Sequence, residues 1–241
     1  MSSPARESEF RSTRWSVVAA AAGSTASSRA ALAELIDQYW YPLYAYLRRQ
    51  GESAADAQDL VQAFFAELLE KEFLRSADEQ RGRFRSFLLV ALKRFRSKEY
   101  AKERAQKRGG DAKHVALDFE SGERRYQLEP ADSETPEDVY QRRWALTVLE
   151  SALAELRAGA ESAGETARFQ QLKIHLVGEG GESYAATAEK LGISSNAVKA
   201  AVFRLRSRFR EAVRDQIAAT VSRPDQIEDE MQELQRALRP T

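Results

Sequence analysis

The apolar residues of this chain recur at helical spacing, and that period governs what the chain can fold into. In "LAELIDQYWYPLYAYLRRQG", Leu32, Leu35, Ile36, Tyr39, Leu43, Tyr46 and Leu47 share one face of a 3.6-residue repeat. No alternating Val/Ile/Tyr-rich segment is long enough to read as a strand, so the pattern predicts an all-α chain. Turn and cap residues then divide it. Pro42 has no N–H to donate and is expected to bend or break the first long helix near its middle, with Gly51 ending it. Ser53 followed by Asp56 resembles a capping box and opens the helix of "DAQDLVQAFFAELLEKEFL". Thr135-Pro136-Glu137 places a cap residue before Pro at the first helical position, and Val139, Trp144, Leu146, Val148, Leu149, Leu153 and Leu156 continue that helix. Further helices are expected over Arg14 to Ala22, over Phe169 to Val177, twice after "GEGGE", and from about Gln226 to Leu238.

Charge is balanced overall, with 37 basic and 37 acidic residues in 241, but it is sorted along the chain. "RGRFRSFLLVALKRFRSKEYAKERAQKR", Arg81 to Arg108, holds eleven Lys and Arg against Glu99 and Glu103. The preceding helix, Glu52 to Glu72, sets six acids against Lys71 alone. The segment from Asp111 to Asp138 has nine acids, three cations and few apolar residues, the composition of a flexible acidic linker. The predicted organisation is therefore two small helical domains. An N-terminal extension with a short helix (1–29) precedes the first domain (30–108), the acidic linker (109–138) joins it to the second (139–220), and an acidic amphipathic helix (221–241) follows. That last helix is expected to cap the second domain, the alternative being that it folds over the second domain's basic helix as an autoinhibitor.

Two stretches point to nucleic acid. "SYAATAEKLGISSNAVKAAVFRLRSRFREAV" has the layout of a helix-turn-helix: a short helix, a tight turn at Leu191-Gly192-Ile193, and a longer helix capped by Ser194 or Ser195. Val198, Val202 and Leu205 are expected to face inward. Ser195, Asn196 and Lys199 would meet base edges, with Arg204, Arg206 and Arg208 near phosphates. In the basic stretch, Phe84, Phe87 and Phe95 are assigned to the core. Arg85, Lys93, Arg96, Lys98 and Lys102 are assigned to a face that holds unpaired DNA. The acids of the neighbouring helix either neutralise those cations or meet a basic protein partner.

Other classes are poorly supported. The chain has no cysteine, which excludes disulfides and thiolate chemistry and suits a cytoplasmic protein. Val17 to Ala22 is too short an apolar run to span a bilayer, so no membrane association is expected. His114 falls in the linker and His175 on an apolar helix, where a satisfied core histidine is the ordinary reading. No catalytic residue, metal or cofactor is expected, and the chain does not read as an enzyme.

Taken in order, these stretches resemble a bacterial RNA polymerase sigma factor of the extracytoplasmic-function group. "DAQDLVQAFFAELL" is similar to the region-two signature that docks on the polymerase clamp helices, and "RGRFRSFLLVALKRFRSKEYAKER" to the segment that melts DNA and recognises the minus-ten element. "YAATAEKLGISSNAVKAAVFRLRSRFRE" is similar to region four, the reader of the minus-thirty-five element. The resemblance covers roughly 30–108 and 140–217. It implies core RNA polymerase and promoter DNA as partners. Asp56, Asp59, Leu60 and Gln62 match the docking signature; Ser195, Asn196, Lys199 and Arg204 match the minus-thirty-five reader. Gln58 and Ala63 stand where the family pattern has Glu, and Ala201 where an Arg is common. The linker would run through the polymerase's RNA channels. An anti-sigma factor or a Ser/Thr kinase is a further expected partner, with a phosphate on Ser53 restoring charge near Gln58. The alternative is a polymerase-independent helix-turn-helix regulator, which leaves the acidic and the aromatic-basic helices unassigned.

Overall fold

The computed structural model describes residues 26–70, 83–105, 117–127, 134–176, 182–221 and 223–239. Every regular element among the described residues is an α-helix. In chain order these are α1 (Ala26–Arg49), α2 (Ala54–Glu70), α3 (Phe84–Ala105), α4 (Phe119–Gln127), α5 (Pro136–Ser162), α6 (Thr166–Lys173), α7 (Tyr184–Leu191), α8 (Ser195–Ala218) and α9 (Gln226–Ala237). The helix expected over Arg14 to Ala22 lies outside the described residues. The chain divides into two units: residues up to 145 together with those from 218 onward, and residues 146–217.

The first unit is built around the second half of α1, where Tyr39, Leu43, Tyr44, Ala45, Tyr46 and Leu47 are all removed from water. A helix apolar on every side can only be a central one, and α2, α3 and α4 pack against it. Of the bend or break expected at Pro42, the break does not occur, for α1 runs on through it. Proline forfeits one backbone hydrogen bond there, and the large side chains buried on either side of it offset that loss. Phe64, Phe65 and Leu68 of α2 and Phe84, Leu88, Leu92 and Phe95 of α3 complete the core; of the three phenylalanines assigned to it, Phe84 and Phe95 are buried and Phe87 is half-buried.

The caps read from sequence are present. Ser53 Oγ accepts from the Asp56 N–H at 3.1 Å and donates to Asp56 Oδ2 at 2.6 Å. Thr135 Oγ1 accepts from the Asp138 N–H at 3.2 Å, and Asp138 Oδ2 accepts from the Thr135 N–H at 3.1 Å. Each exchange satisfies backbone donors at a helix start that the helix itself leaves open.

Two segments depart from the sequence reading. Residues 119–127 of the expected flexible linker form α4, docked on α1 through Phe119, whose ring meets Trp40 edge-on at 5.3 Å and lies 5.7 Å from Tyr44. Glu123 Oε2 accepts from Tyr44 Oη at 2.5 Å and from Arg48 Nε at 3.0 Å, and Oε1 accepts from Arg48 Nη2 at 3.0 Å. The Arg48 hydrogen bonds hold the Glu123 carboxyl below its ordinary value, and burial with the Glu123 hydrogen bond pushes the Tyr44 phenol up. Acidity overall thus hid one apolar anchor and one half-buried carboxylate. The second departure is α9, which groups with the first unit. Ile227, Glu230 and Leu234 form its buried side.

Candidate nucleic-acid and protein interfaces

In the second unit, α7 opens with Ser183, whose Oγ accepts from the Ala186 N–H at 3.2 Å. It ends at Gly192, whose φ of 64° lies in the left-handed region that a side chain disfavours. The Ile193 N–H reaches back to the Ala188 carbonyl at 3.1 Å, closing the turn. Ser194 Oγ accepts from the Ala197 N–H at 3.2 Å and caps α8. Of the two serines weighed for that role, Ser194 fills it.

Val198, Ala201, Val202 and Leu205 are the buried stripe of α8. Ala201 is buried, which suits its small side chain. Opposite that stripe, Asn196 and Lys199 are exposed and Ser195 is half-buried. Lys199, Arg204 and Arg208 have no hydrogen bond or ion pair among the described residues. Arg204 and Arg208 flank a half-open cavity of about 280 Å³ floored by Leu156, Phe169 and Leu172. Arg206 is exposed, and its Nε and Nη2 donate to the His175 carbonyl at 3.2 and 2.7 Å, which takes up two of its five donors. His175 itself is buried, its Nε2 2.8 Å from Thr187 Oγ1, as a satisfied core histidine should be. The sequence reading missed Phe203, which is 76% exposed. Its offsets of four from Lys199 and seven from Asn196 place it on their face, and that spacing is legible without a structure.

The first unit presents its charges differently. Asp56 and Asp59 are exposed on α2 and Leu60 is half-buried, but Gln62 is buried and cannot lie on a docking face. Its position three after Asp59 carries it round toward the core stripe of Val61 and Phe65. Ser53 already donates to Asp56, so a phosphate there would break the cap and set two negative groups side by side.

Of the cations assigned to DNA, Arg85 is buried in this structure and presents no surface to a partner. It is 4% exposed, with Nε 2.7 Å from Glu230 Oε2 and its guanidinium 4.4 Å from the Trp144 ring. Placed one residue into the helix beside Phe84, it points toward α9, a partner 145 residues away that no local pattern reveals. Arg96 is held by Glu52 at 2.5 Å, and Glu52 also accepts from Tyr100 Oη. Lys93, Lys98 and Lys102 pair with Glu137, Glu67 and Glu99, yet remain 44%, 47% and 55% exposed. Exposed pairs of this kind are worth about 0–1 kcal/mol, so phosphate competes for these lysines readily. Arg94, passed over by the sequence reading, is exposed and has no partner among the described residues; with Lys98 it rims a cavity of about 140 Å³ over Phe64, Leu68 and Phe95.

Among the described residues no helix is long and apolar enough to cross a membrane. Comparison of the chain with protein-family models, with curated proteins and with solved structures finds no match.

Proposed function

We propose that this chain is a sigma factor of the extracytoplasmic-function type, which joins core RNA polymerase and directs it to promoters. The observation that carries the reading is the outer face of α8. Asn196, Lys199 and Phe203 stand exposed together on a helix entered through a left-handed glycine turn, as a helix-turn-helix reader of the major groove requires. Asn and Lys hydrogen-bond base edges, and an apolar ring beside them suits a thymine methyl. The two-unit organisation supports a reader of two elements, since tethering lets each unit bind weakly alone. In the first unit the exposed Asp56 and Asp59 offer the acidic docking face, and Arg94, Lys93, Lys98 and Lys102 offer cations to DNA. The protein makes and breaks no bond in this role; it works in the cytoplasm with polymerase and promoter DNA.

The test is reconstitution. Purified chain added to core polymerase on a promoter library should give sequence-selective transcription, and its absence at every promoter refutes the proposal. One observation favours a second reading, a polymerase-independent regulator: most cations of α3 carry acidic partners, whereas Lys199, Arg204 and Arg208 of α8 do not. A footprint by the protein alone on palindromic half-sites would establish that alternative.

A further inference from the structure

Glu230 is 1% exposed on a helix whose other buried residues, Ile227 and Leu234, are apolar. Its Oε2 accepts from Arg85 Nε at 2.7 Å, and its Oε1 from Arg85 Nη2 at 3.0 Å and Arg83 Nε at 2.7 Å. Asp229 and Glu233 add oxygens 3.8 and 3.9 Å from Arg83. One guanidinium fork and a second arginine closing on two oxygens is the arrangement with which proteins grip phosphate. Both arginines stand at the start of the basic helix. A helix that needed only to pack would be held at least as well by an apolar residue at 230, because a buried ion pair is on balance no better than a hydrophobic replacement of its volume. What a carboxylate supplies instead is a counter-charge that another anion can replace.

We propose that α9 is an internal competitor for nucleic acid. Its carboxylates occupy Arg83 and Arg85 in place of phosphate, and α9 leaves when the start of α3 engages an unpaired strand. The inference rests on the nucleic-acid half of the function proposed above and adds that the chain regulates that half itself.

The test compares the intact chain, Glu230→Gln and a deletion of residues 223–241 for binding of a fluorescently labelled single-stranded oligonucleotide across a salt series, with thermal melts of each. Both variants should bind about tenfold tighter at low salt, the equivalent of one charge-assisted contact regained. The log–log salt slope should stay the same, because the bound state neutralises the same phosphates in all three proteins. In the intact chain, excess oligonucleotide should speed amide exchange across α9, as linkage demands. Unchanged or weaker binding, in a variant that still melts cooperatively, overturns the proposal. If neither variant folds, exchange in the intact chain decides: α9 protection unmoved by oligonucleotide overturns it too. Equal binding by all three proteins sinks only the competitor, whereas no binding by any of them removes the nucleic-acid reading beneath it.

Discussion

Replacing Gly122 by alanine tests whether α4 is docked as tightly as the packing implies. In an exposed helix the exchange should stabilise by about 1 kcal/mol through propensity alone. Here an added Cβ would stand 2.8 Å from Trp40 Cη2, 2.9 Å from Trp40 Cζ3 and 3.5 Å from Tyr41 Cδ2. The indole cannot yield cheaply, because it meets Tyr41 at 5.7 Å and Phe119 at 5.3 Å, both edge-on. Helix α4 must then lift, and lifting lengthens the hydrogen bonds that Glu123 accepts from Tyr44 and Arg48. Overpacking of this size costs about 1–3 kcal/mol. Set against the propensity gain, the net expectation is a local loss of about 0–2 kcal/mol, or an amide exchange rate over residues 119–127 raised by up to roughly 30-fold. Ser121→Ala, which adds no clashing atom, is the control and should leave exchange unchanged or slower. Slower exchange in Gly122→Ala, as in a solvent-exposed helix, would refute the close approach and with it the docking of α4.

Three further outcomes are expected. Charge reversal at Asp56 and Asp59 should abolish co-sedimentation with core polymerase while leaving oligonucleotide binding intact. Asn196→Ala and Lys199→Ala should each change promoter choice by about 1–3 kcal/mol at the contacted base, and Phe203→Ala should lose discrimination between thymine and deoxyuridine in a promoter-binding titration. Glu123, whose folded value is lowered first by its Arg48 hydrogen bonds, contributes stability present above the ordinary glutamate value of 4.5 and lost as pH falls through the depressed one. Fluorescence of Trp40 under the α4 helix should therefore change on acidification, and Glu123→Gln should remove that pH dependence.

Elements whose signals are local were legible in the sequence. Ser53, Thr135 and Ser194 each sit three residues before the donor or partner they serve, and Val198, Val202 and Leu205 repeat at the helical period. Elements decided at a distance were not. Arg85 and Glu230 read as two surface charges on two amphipathic helices, because nothing within either helix reveals that they neutralise one another. Glu123 and Phe119 were submerged in an acidic average, although a half-buried carboxylate needs only one arginine and one tyrosine to be accommodated. That Pro42 does not end α1 was not legible, because its local penalty is real while the compensating burial of Tyr39 and Leu43 is tertiary.

The first unit is assembled from residues on both sides of the second, so its synthesis has an order. While a nascent chain carries only α1 to α5, the guanidinium of Arg85 has no carboxylate to meet, and it acquires one only after residue 230 has left the ribosome. A contact of that separation closes late and slowly. The half of the molecule translated earliest is thus the half completed last, and a nick anywhere between Ala218 and Glu230 would be felt at the opposite end of the polypeptide.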